Sequence, residues 1–133
     1  MAPYRIILAD RHPLLRQGLK RILGEKSDLE IIGEASDGME LLNLLKLSKS
    51  QLHLVILDPT MPNLRGMEAV GKVKLIDPTV KVLILSLHKD KEYLSQAIFH
   101  GAEGYLLKEE AHTELLPAIE RIRQGGLYVP SFP

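Results

Sequence analysis

The chain has 133 residues, which is enough for one domain with a hydrophobic core but too few for two domains of ordinary size. Hydrophobic residues make up 45% of the sequence and charged residues 26%, and the formal net charge at pH 7 is zero. There is no basic block to bind nucleic acid, no cysteine for disulfides or thiolate metal sites, and no apolar stretch long enough to span a membrane.

Short segments rich in β-branched residues alternate with segments of helical periodicity along the chain. The predicted β-strands are Tyr4–Ala9, Leu29–Ala35, His53–Leu57, Val80–Leu85 and Gly104–Leu107. The run from Leu54 to Leu57 contains no polar residue, which is typical of a strand buried on both faces of a parallel sheet.

Turn and capping residues delimit the first two of the helices predicted to follow the strands. Pro13 suits the first turn of the first helix, and Gly24 suits its end. Asp37, followed three residues later by Glu40, resembles a capping box at the start of the second helix. The residues expected on the inner faces of these two helices are Leu15, Leu19, Ile22, Leu41, Leu44 and Leu45.

The three later helices are delimited in the same way. The third is predicted to begin near Gly66, and the fourth to run from an N-cap at Asp90 to Gly101. Thr113 is the expected N-cap of the fifth, which places Pro117 close to its first turn, where proline is tolerated. The residues expected on the inner faces of the fourth and fifth helices are Leu94, Ala97, Ile98, Leu115, Ile119 and Ile122.

Five successive β-α units predict an α/β fold in which helices cover both faces of a parallel sheet. Residues 1–126 hold all the predicted elements and are expected to form one domain. Residues 127–133 contain two prolines and are predicted to be a tail or the start of a linker.

Polar side chains follow four of the predicted strands at the point where each strand ends. Asp10 and Arg11 follow the first strand, Asp58 the third, Ser86 the fourth and Lys108 the fifth. Each alone is ordinary, since an Asp is often a cap and a Ser often a turn residue. Because parallel strands end at the same edge, the four positions together suit phosphoryl chemistry, with a nucleophilic carboxylate, a hydroxyl, an ammonium and a second carboxylate for a divalent cation.

The sequence resembles the receiver domain of two-component response regulators over nearly its entire length, and most closely the receivers of the LuxR/NarL type. The segments that carry the resemblance are 6–13 with Arg16 and Gly18, Leu57-Asp58 with Met61-Pro62 and Gly66, 83–86 with His88, and 101–108. The resemblance implies a flavodoxin-like (CheY-like) doubly wound five-stranded parallel sheet, (βα)5, with strand order 2-1-3-4-5.

The resemblance also implies roles for individual residues. Asp58 is the expected phospho-acceptor, Lys108 the partner of the phosphoryl oxygens, Ser86 the switch hydroxyl and Tyr105 the aromatic residue that moves with it. Mg²⁺ is the expected cofactor. Its expected ligands are Asp10, Asp58 and the backbone carbonyl of Thr60.

Arg11 departs from the family pattern, which has a second acid at this place. A guanidinium there removes an oxygen ligand and adds positive charge beside a site for a hard cation. Three interpretations stay open. In the first, Asp10 and Asp58 suffice to bind Mg²⁺ weakly. In the second, Arg11 lies across Asp58 or Asp10 as an internal cation that partly replaces the metal, and in the third it points to solvent and leaves a damaged site.

The resemblance implies a bacterial, cytoplasmic regulatory domain that is not an enzyme beyond its own phosphoryl transfer and dephosphorylation. The expected partners are a sensor histidine kinase and a second copy of the chain, with no membrane contact. DNA is expected to be contacted only through a helix-turn-helix output domain that is absent from this sequence.

Competing functions remain at this point. Arg11 keeps open a phosphorylation-independent pseudo-receiver. A haloacid-dehalogenase-like phosphatase is less favoured, because Thr60 stands where such enzymes need a second Asp. A flavodoxin-like cofactor binder lacks its phosphate loop after the first strand. For His12, a place at the start of a helix is favoured over catalysis, and for His88 a loop role is favoured.

Overall fold

The computed structural model of the chain describes residues 3–63 and 66–130. The strands are β1 (Tyr4–Ala9), β2 (Leu29–Ala35), β3 (Leu54–Leu57), β4 (Lys81–Ser86) and β5 (Gly104–Leu107). They pair in parallel in the order β2-β1-β3-β4-β5, which confirms the predicted topology. Strands β3 and β4 begin one residue later than predicted, and β4 extends to Ser86.

The helices lie between and after the strands. They are α1 (Pro13–Leu23), α2 (Gly38–Leu47), α3 (Glu68–Ile76), α4 (Lys91–Phe99) and α5 (Ala111–Arg123), with a short 3₁₀ turn at Lys108–Glu110. In the described part of the chain, none of them is both long and apolar enough to cross a membrane.

Two hydrophobic cores lie on opposite faces of the sheet, because alternate side chains of each strand point to opposite sides. Helices α2, α3 and α4 pack on the core that contains Val55 and Leu57, and α1 and α5 pack on the core that contains Leu54 and Ile56. Strand β3 is therefore buried on both faces, as its apolar run predicts.

The inner face of α1 is as predicted, since Leu19 is buried and Ile22, although only half-buried, packs against the same core. In α4, Ala97 is buried but Ile98 is 45% exposed, so its predicted inward position is wrong. The difference in α4 is a rotation of about one position, which helical periodicity does not resolve.

The caps of α2 and α4 form as predicted, with Asp37 accepting a hydrogen bond from the N–H of Glu40 and Asp90 from that of Tyr93, both at 2.9 Å. The carboxylate of Glu40 reaches back to the backbone before the helix, where it accepts the N–H of Ser36 at 3.0 Å and interacts with the backbone of Asp37, as a capping box requires.

The start of α5 differs from the prediction. The 3₁₀ turn continues directly into the helix, so Thr113 lies inside its first turn and is not the N-cap. Pro117 is consequently in the helix interior on the exposed side, where it removes one backbone hydrogen bond. The buried residues of the same helix, Leu115, Ala118, Ile119 and Ile122, provide the packing that offsets this loss.

The segment after α5 returns to the sheet. The N–H of Tyr105 donates to the carbonyl of Tyr128 at 3.0 Å, and the N–H of Tyr128 donates to the carbonyl of Glu103 at 3.0 Å. The Tyr128 hydroxyl reaches Glu114 at 2.7 Å. The first residues of the predicted tail thus lie along the edge of β5, whereas residues 131–133 lie outside the described residues.

Replacing Gly104 with alanine should destabilise the fold by about 1–3 kcal/mol, because the added methyl group overpacks the core. A Cβ at this position would lie 2.8 Å from Leu83 Cδ1 and 2.9 Å from Ile122 Cδ1. Urea denaturation would measure the loss. Gly71→Ala is the matched control, because nothing lies within 4 Å of its Cβ and alanine is favoured in a helix. Equal stabilities for the two variants would contradict the packing argument.

His53 should make stability fall as the pH is lowered. Burial lowers the pKa of His53 below 6.5, and the nearby charges of Arg5 and Arg123 add to this effect. Its Nδ1 accepts the N–H of Arg5 at 2.8 Å, so the folded state needs the neutral ring. The stabilisation is therefore complete above a pH of about 6.5 and is lost as the pH falls through the lower, folded-state pKa.

A His53→Asn variant tests this, because the amide oxygen of Asn can accept the same hydrogen bond without titrating. We expect its free energy of unfolding, followed by urea denaturation, to depend less on pH below about 6.5 than that of the unmodified chain. His112→Asn, which leaves the His53 contact in place, should retain the full dependence. An unchanged slope in His53→Asn would show that another group is responsible.

Candidate functional site

Four strand ends bring polar side chains to one edge of the sheet. Asp10 directly follows β1, Asp58 follows β3, Ser86 is the last residue of β4, and Lys108 follows β5. Both carboxylates are only 2% exposed, and Ser86 is buried as well. The juxtaposition predicted from the strand ends is therefore present in the fold.

Lys108 links the two carboxylates. Its Nζ lies 2.9 Å from Oδ2 of Asp58, to which it donates a hydrogen bond, and 2.9 Å from Oδ2 of Asp10. The second contact is an ion pair without hydrogen-bond geometry, so Oδ2 of Asp10 is a buried carboxylate oxygen that accepts no hydrogen bond from the described residues. One ammonium is thus shared by two buried carboxylates, which leaves one negative charge unbalanced.

Asp58 is held as an ionised carboxylate. Its Oδ1 accepts two hydrogen bonds from Thr60, from the N–H at 2.8 Å and from the hydroxyl at 2.7 Å. Burial alone would raise the pKa of Asp58, but the bonds from Thr60 and the contact with the Lys108 ammonium outweigh it and lower that pKa below 3.8. The carboxylate is therefore charged at neutral pH, as a nucleophile must be.

Ser86 and Tyr105, the predicted switch residues, both contact His88 in the loop after β4. Oγ of Ser86 accepts the N–H of His88 at 3.0 Å, and the buried Tyr105 donates its hydroxyl to the carbonyl of His88 at 2.7 Å. Burial raises the pKa of the Tyr105 hydroxyl, and a hydrogen bond with Ser86 partly opposes this. The His88 ring stacks on Tyr93 of α4 at 4.1 Å. His88 has the predicted loop position, and it connects Ser86, Tyr105 and α4.

Asp10 has two partners that the sequence analysis did not assign. Its Oδ1 accepts the N–H of His12 at 2.8 Å and lies 3.2 Å from Nδ1 of the same residue. Its backbone carbonyl accepts a hydrogen bond from the Arg16 guanidinium, which also contacts Glu34 of β2 at 3.0 Å. Arg16 is the fourth residue of α1, six residues after Asp10, and this short separation along the chain is the signal that could have found it.

His12 is the N-cap residue of α1, as its predicted place at the helix start requires, but its side chain makes no cap hydrogen bond. The ring turns toward the carboxylates instead. Asp10, His12 and Asp58 each offer one ligand atom, and these atoms all lie within 4.8 Å of one another. The donor set and the hydrogen-bond-deficient Oδ2 of Asp10 fit a divalent cation.

Arg11 is exposed, and no ion pair joins it to Asp10 or Asp58, all three being described residues. The internal cation at this edge is Lys108. The interpretation in which Arg11 lies across a carboxylate is therefore not what the fold contains, and a weakened cation site with Arg11 directed to solvent fits the arrangement better.

Comparison with known proteins places this arrangement among signalling domains. The family described as response regulator receiver domain matches residues 6–120. The transcriptional regulatory protein DegU of Brevibacillus brevis is 36% identical over 125 residues, which are 94% of this chain and 52% of that protein. The chain thus spans about half the length of the curated relatives it matches.

Solved structures of response regulators are also similar to this chain. The RcsB response regulator of Salmonella typhimurium, studied for its interaction with DNA, superposes with a TM-score of 0.90 at 27% identity, covering 98% of this chain and 65% of that one. A two-component response regulator of the LuxR family from Aurantimonas sp. SI85-9A1 superposes with a TM-score of 0.87 at 30% identity, covering 96% and 89% of the two chains.

Proposed function

Because this chain belongs to the response regulator receiver domain family, of the LuxR/NarL type, it is a phospho-accepting signalling domain, and we propose that Asp58 is the residue that accepts the phosphoryl group. The observation that carries the proposal is the buried ion pair of Asp58 with Lys108, whose Nζ lies 2.9 Å from Oδ2. A charged carboxylate beside a fixed ammonium suits attack on phosphorus and charge stabilisation of the transferred group.

In the proposed reaction, a carboxylate oxygen of Asp58 attacks the phosphorus of a phosphohistidine on a sensor kinase. A P–O bond forms while the P–N bond breaks, and its electron pair stays on the imidazole nitrogen, which takes a proton from solvent. Lys108 moves its hydrogen bond from the carboxylate to a phosphoryl oxygen, which needs little displacement because the two groups already touch. The N–H of Thr60, now bonded to Asp58, is the nearest backbone donor.

A divalent cation would be held by Asp10 and Asp58, with the backbone carbonyl of Thr60 as a further proposed ligand. Its chemistry would be to offset the negative charge of the phosphoryl group as it approaches two carboxylates. Oδ2 of Asp10, which is buried and accepts no hydrogen bond from the described residues, would bind it in competition with the Lys108 ammonium 2.9 Å away.

The conformational change that follows phosphorylation would be transmitted through His88. Its N–H bonds Ser86, its carbonyl bonds Tyr105, and its ring stacks on Tyr93 of α4. Movement of Ser86 toward phosphorylated Asp58 would therefore displace the loop after β4 and the face formed by α4, β5 and α5. This is a local charge change that biases a packed element with two arrangements.

The partners of the whole protein follow as proposals from the family. They are a sensor histidine kinase, a second copy of the chain, and DNA contacted through an output domain outside this sequence, in the bacterial cytoplasm. The domain acts as a regulator, and its only catalysis would be its own phosphoryl transfer and dephosphorylation.

Neither competing function is favoured. A pseudo-receiver has no need for an acceptor held ionised beside a lysine, and here Asp58, Lys108 and Ser86 are all in place. A phosphatase of the haloacid-dehalogenase type needs an acid two residues after the nucleophile. The hydroxyl of Thr60 occupies that place and bonds Asp58 itself.

Incubation with acetyl phosphate and a divalent cation, followed by intact mass spectrometry, tests the proposal. We expect one phosphoryl group on the unmodified chain and none on Asp58→Asn. Asp90→Asn is the matched control, because Asp90 caps α4 at the same edge without contacting the site, and it should be phosphorylated normally. Phosphorylation of Asp58→Asn at the rate of the unmodified chain would overturn the assignment.

A further inference from the structure

We propose that His12 is a metal ligand, and that with Asp10 and Asp58 it forms a mixed oxygen and nitrogen site that favours a first-row transition-metal ion such as Zn²⁺ over Mg²⁺. The inference rests on the proposed function of this edge of the sheet and gives its cation site a different chemical preference. It assigns a role to a side chain that the phosphoryl-transfer reaction does not use.

The ligand atoms of His12 and Asp10 are spaced to fit one ion, and Asp58 lies close to both. Nδ1 of His12 lies 3.2 Å from Oδ1 of Asp10, and the atoms offered by all three residues lie within 4.8 Å of one another. Two ligands about 2.1 Å from a metal and at right angles to each other are separated by about 3.0 Å. His12 and Asp10 are therefore spaced as adjacent ligands before any rearrangement.

Two further observations point to a cation at this place. Oδ2 of Asp10 is buried and accepts no hydrogen bond, and the Lys108 ammonium 2.9 Å away is shared with Asp58, so one of the two carboxylate charges stays unbalanced. The imidazole of His12 belongs to an N-cap residue, yet it makes no cap hydrogen bond and instead faces the carboxylates. The contact of Nδ1 with Oδ1 of Asp10 holds the ring beside the carboxylates, where the same nitrogen is in reach of a cation bound by them.

Arg11 explains the change of preference. With an arginine that points away from the carboxylates, the site has two charged oxygen ligands, which is a poor set for Mg²⁺ because this ion prefers several oxygens and loses its water reluctantly. An imidazole nitrogen adds little to the affinity of a site for Mg²⁺, but it is a good ligand for Zn²⁺ and similar ions. Lys108 offsets one of the two carboxylate charges, so one negative charge is left to attract a cation, and the imidazole ligand has more influence on total affinity than it would in an all-acidic site.

Isothermal titration of the untagged chain with Zn²⁺ and separately with Mg²⁺, without any phosphodonor, tests the proposal. We expect His12→Ala to lower the affinity for Zn²⁺ by at least about tenfold while changing that for Mg²⁺ by less than about twofold. Asp10→Asn should weaken both. His112→Ala is the matched control, since this exposed histidine of α5 lies outside the cluster, and it should bind as the unmodified chain does.

A spectrum of the chain with ¹⁵N-labelled histidine gives a second readout. Zn²⁺ should shift the Nδ1 resonance of His12, and this shift should be absent in Asp10→Asn. Unchanged Zn²⁺ affinity in His12→Ala, or loss of binding in His112→Ala instead, would overturn the proposal. Because no phosphoryl transfer is measured, a failure here is distinct from a failure of Asp58 to accept phosphate, which the mass experiment detects.

Discussion

Replacing Lys108 with methionine is expected to lower the free energy of unfolding by about 3 kcal/mol near neutral pH, because two buried carboxylates lose their shared counter-ion. We also expect phosphorylation by acetyl phosphate to slow by about 100-fold, since the ammonium would no longer stabilise the transferred group. Urea denaturation measures the first effect, and mass spectrometry over time the second.

The pH dependence of this variant gives an internal check. In the unmodified chain the contacts of Asp58 hold its pKa below 3.8, so its contribution to stability is present above that value and is lost as the pH falls. Without Lys108, its hydrogen bond and its charge no longer lower the pKa of Asp58, whereas burial and the bonds from Thr60 remain, so this pKa should rise from its present value. The stability that is lost as the pH falls should therefore be smaller in the variant than in the unmodified chain.

Lys89→Met is the matched control for Lys108→Met. Its ammonium lies 2.9 Å from Glu109 near the same edge, but both side chains are more than half exposed, and such pairs contribute little. We expect no measurable change in stability and normal phosphorylation. If Lys89→Met lost as much stability as Lys108→Met, the effect would come from removing any positive charge and not from leaving the buried carboxylates without a counter-ion.

Replacing Lys74 with methionine is expected to cost about 2 kcal/mol of stability while leaving phosphorylation unchanged. The Nζ of Lys74 donates to both carboxylate oxygens of Glu103, at 2.8 and 2.6 Å, and to the carbonyl of Val80 at 2.7 Å. Glu103 in turn accepts the N–H of Val82 at 2.8 Å. This network joins α3 to the beginnings of β4 and β5, at the edge of the sheet opposite Asp58.

Lys72→Met is the control for this network, because Lys72 lies on the same helix and is exposed. Its stability in urea should stay within about 0.5 kcal/mol of the unmodified chain. If Lys74→Met slowed phosphorylation as strongly as Lys108→Met, the two edges of the sheet would be coupled, and the separation proposed between structural and reactive networks would be wrong.

The elements of the fold could be predicted because their signals are local. The unbroken apolar run of β3 and the caps at Asp37 and Asp90 depend on neighbours within a few residues. The predictions failed where packing at a distance decided the outcome. The 3₁₀ turn after Lys108 moves the start of α5 ahead of Thr113, and the resulting place of Pro117 is tolerated because the buried face of the helix offsets its cost.

The sequence by itself determined which polar residues end at one edge of the sheet, since parallel strands deliver their following residues to the same side. Only the tertiary structure decided how the charges there are matched. Lys108 is fifty residues from Asp58 in sequence and Arg11 only one residue from Asp10, yet Lys108 contacts both carboxylates and Arg11 neither. The direction of the His12 ring likewise follows only from the tertiary structure. Its contact with Asp10 depends on the side-chain rotamer and on how α1 packs beside the end of β1, and sequence spacing specifies neither.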